Sequence, residues 1–528
     1  MPEEKRSLLY KLKPIVDRIP AVAKPEGHVT FKSKMLWSTI ILITYFAMTN
    51  VMIYGISGKS QDMFGQFRAI MAGANGSLMH LGIGPIVTGS IIMQLFTGAK
   101  IINLDLSNDQ DKALYQNTQK LVVMIMILVE AIPQVFGYLT PADSFVSGLS
   151  SIAGTSAKGL ANALIVFQLF IGSYLVFLMD EVVSKWGLGS GISLFIAAGV
   201  SQATVQGTVN WLPVDSSSPL TIGDRVTAAN LPTGTIPKII YIMQNQSLSQ
   251  MTSSGYERIM LQQPNPVIAV IGTVTIFFIV AYAESMRIEL PLAHGRARGA
   301  RGRYPIRLIY ASNIPVILMA ALLANINMFS LLFWSRPPLN KIPIIGHAWW
   351  IGAFAAGQTK PYAGGAWYLS SVRGVGDWLL PLMSWSKYGQ YTYGHAYWQV
   401  VAKLIIYLVV MILGSVMFAK FWIETTNMGP SAVAKQIRSS GMHIPGFRRD
   451  PRILERVLER YIPRVTVISG AFVGALAACA NMIGTVGSTS GTGVLLTVGI
   501  LIRLYEQIAK EQMAEMHPVV RDFLGLEG

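Results

Sequence analysis

The sequence predicts an all-α polytopic membrane protein, with ten transmembrane helices in two inverted five-helix halves around a central pore and the second span broken into a half-helix and a short crossing. Three observations predict it. The chain of 528 residues is 52% hydrophobic and only 13% charged, against about 25% charged in soluble domains, and its mean hydropathy is +0.45. Apolar runs long enough to cross a bilayer recur at ten places. Lys and Arg concentrate in alternate connections, as they do where positive loops stay in the cytoplasm.

Residues 1–34 form a cytoplasmic amphipathic segment. Within it, Leu8, Leu9, Leu12, Ile15, Val16 and Ile19 fall on one helical face with basic residues opposite, the pattern of a helix lying in the membrane interface. The first apolar run begins at Met35 and has no small-residue cleavage site after it, so it reads as a retained span and not a signal peptide. Spans are expected at 35–56, 78–98, 120–139, 160–179, 189–207, 266–285, 308–333, 400–419, 464–483 and 490–509. The second is unusual. The amphipathic stretch 60–72 runs into it through Gly73-Ala-Asn-Gly76, and a helix broken at membrane depth survives only where protein or a water-filled cavity covers its freed backbone groups. A loop followed by an ordinary span with a Gly-Pro kink fits the same residues.

With the N-terminus inside, the pieces 1–34, 99–120, 180–188, 286–307, 420–464 and 503–528 hold 30 of the 42 Lys and Arg. Both termini are therefore expected in the cytoplasm. Ten spans divide into an N-terminal half, 35–207, and a C-terminal half, 266–528, joined by the polar outer connection 208–265. Five is odd, so consecutive halves insert with opposite topology, an arrangement that places a pathway at the interface of the repeats. No residue-level repeat between the halves is visible. A second outer insertion, 334–399, holds seven of the 11 tryptophans and reads as a folded cap near the aromatic belt of the interface.

The chain offers no catalytic constellation. Its histidines are scattered, without metalloprotease spacing or a phosphate-loop Gly-Lys-Ser/Thr, so neither an enzyme nor a cofactor is expected. The sole cysteine, Cys479, excludes disulfides and Cys-based metal sites and reads as a small buried hydrophobe. The basic run Gly295 to Arg303 is too basic for a nucleotide fingerprint and reads as an RNA-facing or lipid-facing loop, or simply as solvated positive-inside charge. Glu130 lies within an apolar run, and a carboxyl at membrane depth is a functional candidate. Its candidate partners are Thr88 in the second span and Asn325 in the seventh, with plain helix-to-helix bonding as the alternative. Apart from Glu130, the span centres hold almost no ionisable residues, which disfavours an ion-coupled secondary transporter with inverted repeats. Neither paired aspartates nor a His-Glu zinc motif supports an intramembrane protease. A constriction of branched aliphatics can seal a pore against ions by dewetting, which suits a channel for something that pushes through.

Leu81-Gly-Ile-Gly-Pro-Ile-Val-Thr88, Met93-Gln-Leu95, the run Leu178 to Ile192, Pro291-Leu-Ala-His-Gly295, Tyr304-Pro-Ile306, Ser312-Asn-Ile-Pro-Val316 and Gly491-Thr-Gly-Val-Leu-Leu496 resemble the SecY family, the large subunit of the protein-conducting channel. The basic loop Arg296 to Tyr304 resembles its archaeal form, and the two outer insertions look longer than the family's.

The resemblance implies a channel that translocates unfolded secretory polypeptides and releases transmembrane segments sideways into lipid. Residues 60–72 would be the plug, and Ile83, Val87, Ile192, Ile196, Ile317 and Leu496 the pore ring. Thr88, Glu130 and Asn325 would be polar contacts of a lateral gate between spans two and three on one side and seven and eight on the other. The loops 286–307 and 420–464 would meet the ribosome through Arg296, Arg298, Arg301, Arg303, Arg448 and Arg449. The implied partners are SecE/gamma and SecG/beta-type small membrane subunits, the ribosome, signal sequences, nascent chains and the lipid bilayer, with no DNA. The implied location is the cell (plasma) membrane.

Overall fold

The computed structural model describes residues 10–516 apart from single residues, a few pairs and the stretches 58–67, 105–108, 215–219, 221–229, 295–300, 310–313, 336–338, 356–359 and 444–450. Helices stand at all ten expected places. The first five are α1 (Phe31–Asn50), α2 (Gly84–Gly98), α3 (Asp109–Gly137), α4 (Ala157–Trp186) and α5 (Gly191–Val209). The second five are α6 (Val267–Ser285), α7 (Ile314–Ser335), α8 (Tyr397–Thr425), α9 (Pro451–Ile483) and α10 (Gly491–Met516).

Among the described residues, eight helices are long and apolar enough to cross a membrane; α1 and α2 are the other two members of the ten. Helix α1 is 20 residues long but carries Lys32 and Lys34 in its first turn. It stops at Asn50, short of the expected boundary at 56, and the chain then turns back. Ile53 N donates to Gly76 O at 2.8 Å and Leu78 N to Val51 O at 2.9 Å.

Helix α2 has only 15 residues, about 22 Å at 1.5 Å per residue, against a hydrocarbon core of about 30 Å. The expected run 78–98 is thus part turn and part helix. Gly82 adopts a left-handed conformation (φ +55°) with Met71 O so near that a Cβ would stand 2.0 Å from it. No other residue fits there, and Pro85 then sits in the first helical turn, where its missing N–H costs nothing. The second span is therefore broken and is not an ordinary kinked helix. Of the preceding segment 60–72, only Arg68, Met71 and Ala72 lie within the described residues.

The two halves share a junction at residue level. Ser190 and Gly191 open α5, where Ile192 N donates to Asp180 Oδ1 at 2.9 Å. Ser490 and Gly491 open α10, where Thr492 N donates to Asn481 Oδ1 at 3.2 Å. In both places a Cβ on the glycine would stand under 3 Å from the backbone of the preceding helix, Asp180 Cα in one half and Ala480 in the other. The fifth span of each half thus begins with the same cap, the repeat that inverted halves require.

Of the N-terminal amphipathic segment, the helix Lys13–Val16 is described. Further on, Val22 N donates to Glu181 Oε2 at 2.9 Å and Trp186 Nε1 to Ala23 O at 2.9 Å, tying the arm to the end of α4. The loop 286–307 is a hairpin of β1 (Arg287–His294) and β2 (Arg301–Arg307), and Met442–His443 adds a short third strand on the other edge of β1. In the outer insertion, Ala353–Phe354 pairs with Pro361–Ala363. Trp334 Nε1 donates to Phe354 O and Trp378 Nε1 to Met482 O, holding the cap to the ends of α7 and α9. Cys479, expected in the core, is exposed on α9 and faces out of the bundle.

Candidate functional site

The residues Ile83, Val87, Ile196, Ile317 and Leu496 are all buried in one apolar cluster, and Ile192 is half-buried against it. They come from the turn before α2, from α2 itself, and from α5, α7 and α10, where α7 packs on α2 and α10, and α10 on α5. Ile196 and Leu496 hold matching places, each the fifth residue after the glycine that opens its helix. Branched aliphatic side chains from both halves are thus buried in one core, and none of the six is charged. A constriction lined by such side chains offers an ion nothing in place of its hydration shell.

Beside this cluster lies a polar bridge. Thr88 Oγ1 stands 2.8 Å from Glu130 Oε1 and 3.0 Å from Gly84 O, so its single proton serves one of two acceptors. Asn325 Nδ2 donates to Thr88 Oγ1 at 3.2 Å. The three residues proposed from the sequence are therefore joined, linking α7 to α2 and α3. Gly84 makes the approach possible, because a Cβ there would meet Glu130 Oε2 at 3.1 Å.

A second polar cluster was missed in the sequence. His80 is 2% exposed. Its Nδ1 accepts from Gly76 N at 3.0 Å, which places the proton on Nε2, and Nε2 lies 3.0 Å from both Gln134 Oε1 and Tyr138 Oη. Arg68, also buried, donates from Nη1 to His80 O and from Nη2 to Asn75 Oδ1. The end of the 60–72 segment is in this way fastened to α3. A signal was present: Glu130, Gln134 and Tyr138 follow at four-residue steps and share a helical face.

Arg301 and Arg303 lie in β2 opposite Ala293 and Pro291, while Ala293 also pairs with His443. Arg296, Arg298, Arg448 and Arg449 lie outside the described residues. The loops 286–307 and 420–464 thus meet in one sheet through Ala293–His294 and Met442–His443. Ion pairs join α3 to α4, Lys120 to Glu181 at 2.6 Å, and α1 to α10, Lys34 to Glu511 at 2.6 Å. Among the described residues no group of His, Cys, Asp and Glu could hold a metal ion.

Ten helices in two inverted fives, a broken second span and an apolar core shared by the two halves define a multi-pass membrane channel. The chain belongs to the SecY family: residues 77–505 match the SecY family model and residues 43–76 match one described as the plug domain of Sec61p. It is 44% identical to the protein translocase subunit SecY of Archaeoglobus fulgidus over 99% of both chains. It is 45% identical to that of Haloferax volcanii over 97% of this chain and 98% of the relative. Two solved structures are each 38% identical and align with 96% of this chain and 98% of theirs: one described as a protein conducting channel, TM-score 0.74, and Sec61 in the canine ribosome-channel complex from the endoplasmic reticulum, TM-score 0.72.

Proposed function

We infer that the chain is the conducting subunit of a protein-conducting channel, which passes unfolded polypeptides through the apolar closure and releases transmembrane segments sideways into lipid. The observation that carries this reading is the position of the Thr88, Glu130 and Asn325 bridge beside the aliphatic cluster. A seam held by a few polar contacts between α2–α3 and α7–α8 can part while the helices stay folded. Burial of an apolar side chain is worth about 1.5–3 kcal/mol, so a signal sequence of about ten such residues has ample free energy to enter the seam. The ring then closes around the moving chain by apolar contact alone. The role is transport without catalysis, and the force comes from a partner.

The sheet that joins the two cytoplasmic loops supports a docking surface for the ribosome, with Arg296, Arg298, Arg301, Arg303, Arg448 and Arg449 meeting RNA phosphates. SecE/gamma and SecG/beta-type subunits complete the complex in the cell membrane, with both termini of this chain in the cytoplasm. A secondary transporter is disfavoured by the scarcity of midplane charges. The deciding experiment arrests a secretory chain midway through the purified complex. A photo-crosslinking residue at Ile196 or Leu496 should capture it and one at the buried Phe418 should not; capture from Phe418 alone would refute the pathway.

A further inference from the structure

The loop that follows α7 is built in an unusual way. His347 N donates to Phe333 O at 2.9 Å, and Nδ1 donates to Trp334 O at 3.0 Å. These bonds satisfy carbonyls that the end of a helix leaves open. The imidazole also stacks on the Trp334 ring, with centroids 4.0 Å apart and planes at 12°. Gly346 N donates to Ile342 O at 2.8 Å, and a Cβ at Gly346 would stand 2.4 Å from Asn340 O. The loop is therefore clamped to the outer end of α7.

The clamp holds apolar side chains outward. Ile344 is 84% exposed, Trp349 71% and Trp350 54%, and Ile342 and Ile345 are exposed beside them. Ile344 has φ +76° and His347 φ +55°. A β-branched residue in that conformation is strained, and such strain persists where the surroundings enforce it, commonly at functional positions. Here it turns an isoleucine away from the protein.

We propose that residues 339–350 insert into the headgroup region of the outer leaflet and anchor the outer end of α7 to lipid. Three observations select lipid as the occupant. The loop starts where a membrane-spanning helix ends, which puts it at the level of the membrane interface. Its exposed side chains include two tryptophans, the residue type that settles at that interface. Its charge suits phosphate headgroups: residues 339–350 hold Lys341 and no acidic residue. This goes beyond the channel reading and does not depend on it.

The test uses the full-length protein in phospholipid vesicles, with an environment-sensitive fluorophore at Ile344→Cys in a Cys479→Ser background. Nitroxide carried near the lipid headgroup should quench the label several-fold more than aqueous iodide does, and Trp349→Ser with Trp350→Ser should reverse that preference. Quenching by iodide with no effect of nitroxide lipid would overturn the proposal. A label shielded from both quenchers would overturn it in favour of a protein partner. Ile344→Gly serves as the second variant. Relief of the backbone should leave the unfolding temperature in detergent unchanged or raised; a lowered one would mean that Ile344 supports the fold and that its strain has nothing to do with lipid.

Discussion

The side-chain amide of Asn325 reaches the hydroxyl of Thr88 at 3.2 Å across 237 residues of chain, and that hydroxyl lies 2.8 Å from the Glu130 carboxyl. One oxygen thus ties the second half of the molecule to two helices of the first. Its geometry is frugal. Thr88 has a single proton for Gly84 O or Glu130, so loss of Glu130 leaves Thr88 with a partner, whereas loss of Thr88 strands both neighbours. Glu130 and Asn325 are thus the residues to vary, and Thr88 is not.

Glu130→Gln should retain the Thr88–Glu130 bond, whereas Glu130→Leu should remove it and leave Thr88, which receives the Asn325 bond across the seam, held only by Gly84 O. Interhelical hydrogen bonds in membranes average about 0.6 kcal/mol and reach about 1.7, which shifts a closed-to-open equilibrium by roughly three- to twenty-fold. Secretion of a weakly hydrophobic signal should change in Glu130→Leu by that order, while a strongly hydrophobic signal is little affected. If weak and strong signals respond alike in the parent and both variants, the carboxyl only glues helices.

Arg68→Met removes the donors that fasten the 60–72 segment to His80 O and Asn75. Hydrogen bonds from charged groups are worth about 1.5–3 kcal/mol, so the released state should rise about ten- to a hundred-fold. Resting ion conductance in planar bilayers should follow, with Arg68→Lys intermediate because an ammonium can serve one acceptor at a time. Equal conductance in all three proteins would show that the segment is held elsewhere.

How legible these features were depends on how local each signal is. A span is a run of about 20 apolar residues, so all ten places were readable, and a lone carboxyl among them pointed to its two partners. The shortness of α2 was not readable, because Gly82 is needed only once Met71 O has come back beside it. The β1–β2 hairpin was missed because Pro291 and the crowded arginines look like loop. The matched caps of α5 and α10 escaped notice because Asp180 and Asn481 share a geometry and not an identity. His80 was set aside as one of a scattered set; only its neighbours at Gln134 and Tyr138 gave it a role.

Lys238 gives a pH dependence outside the membrane. Its side chain is buried and donates to Pro264 O, and burial lowers its pKa from 10.5 to about 8. Between those values the unfolded chain holds a proton that the folded chain has released. Stability should therefore rise with pH through that window, by at most about 1.4 kcal/mol per pH unit, and this contribution should be flat below it. The difference in unfolding temperature between the parent and Lys238→Met should track that rise; a difference independent of pH would mean that Lys238 does not change its protonation on folding.

Arg448→Glu with Arg449→Glu should abolish ribosome binding without altering the fold. Phosphate contacts release counterions, so log affinity of the parent should fall linearly with log salt. Co-sedimentation across a salt series measures both effects, and binding by the variant with the parent's salt slope would place the ribosome on another surface.

The aliphatic closure makes the most direct claim. Ile83, Val87, Ile196, Ile317 and Leu496 are buried together with Ile192 against them, so a single substitution leaves enough apolar lining to keep the constriction dry. Replacing three or more by Ser should wet it, because water then finds hydrogen-bonding partners along the wall and an ion no longer enters a bare apolar passage. Conductance should rise steeply with the number of serines, and the increase should exceed the sum of the single changes, since dewetting is a property of the whole ring. Deleting 60–72 should have a milder, flickering effect, as neighbouring backbone partly refills the space. A multiply substituted protein that remains folded, binds its partners and stays as ion-tight as the parent would mean that the constriction lies elsewhere along the axis.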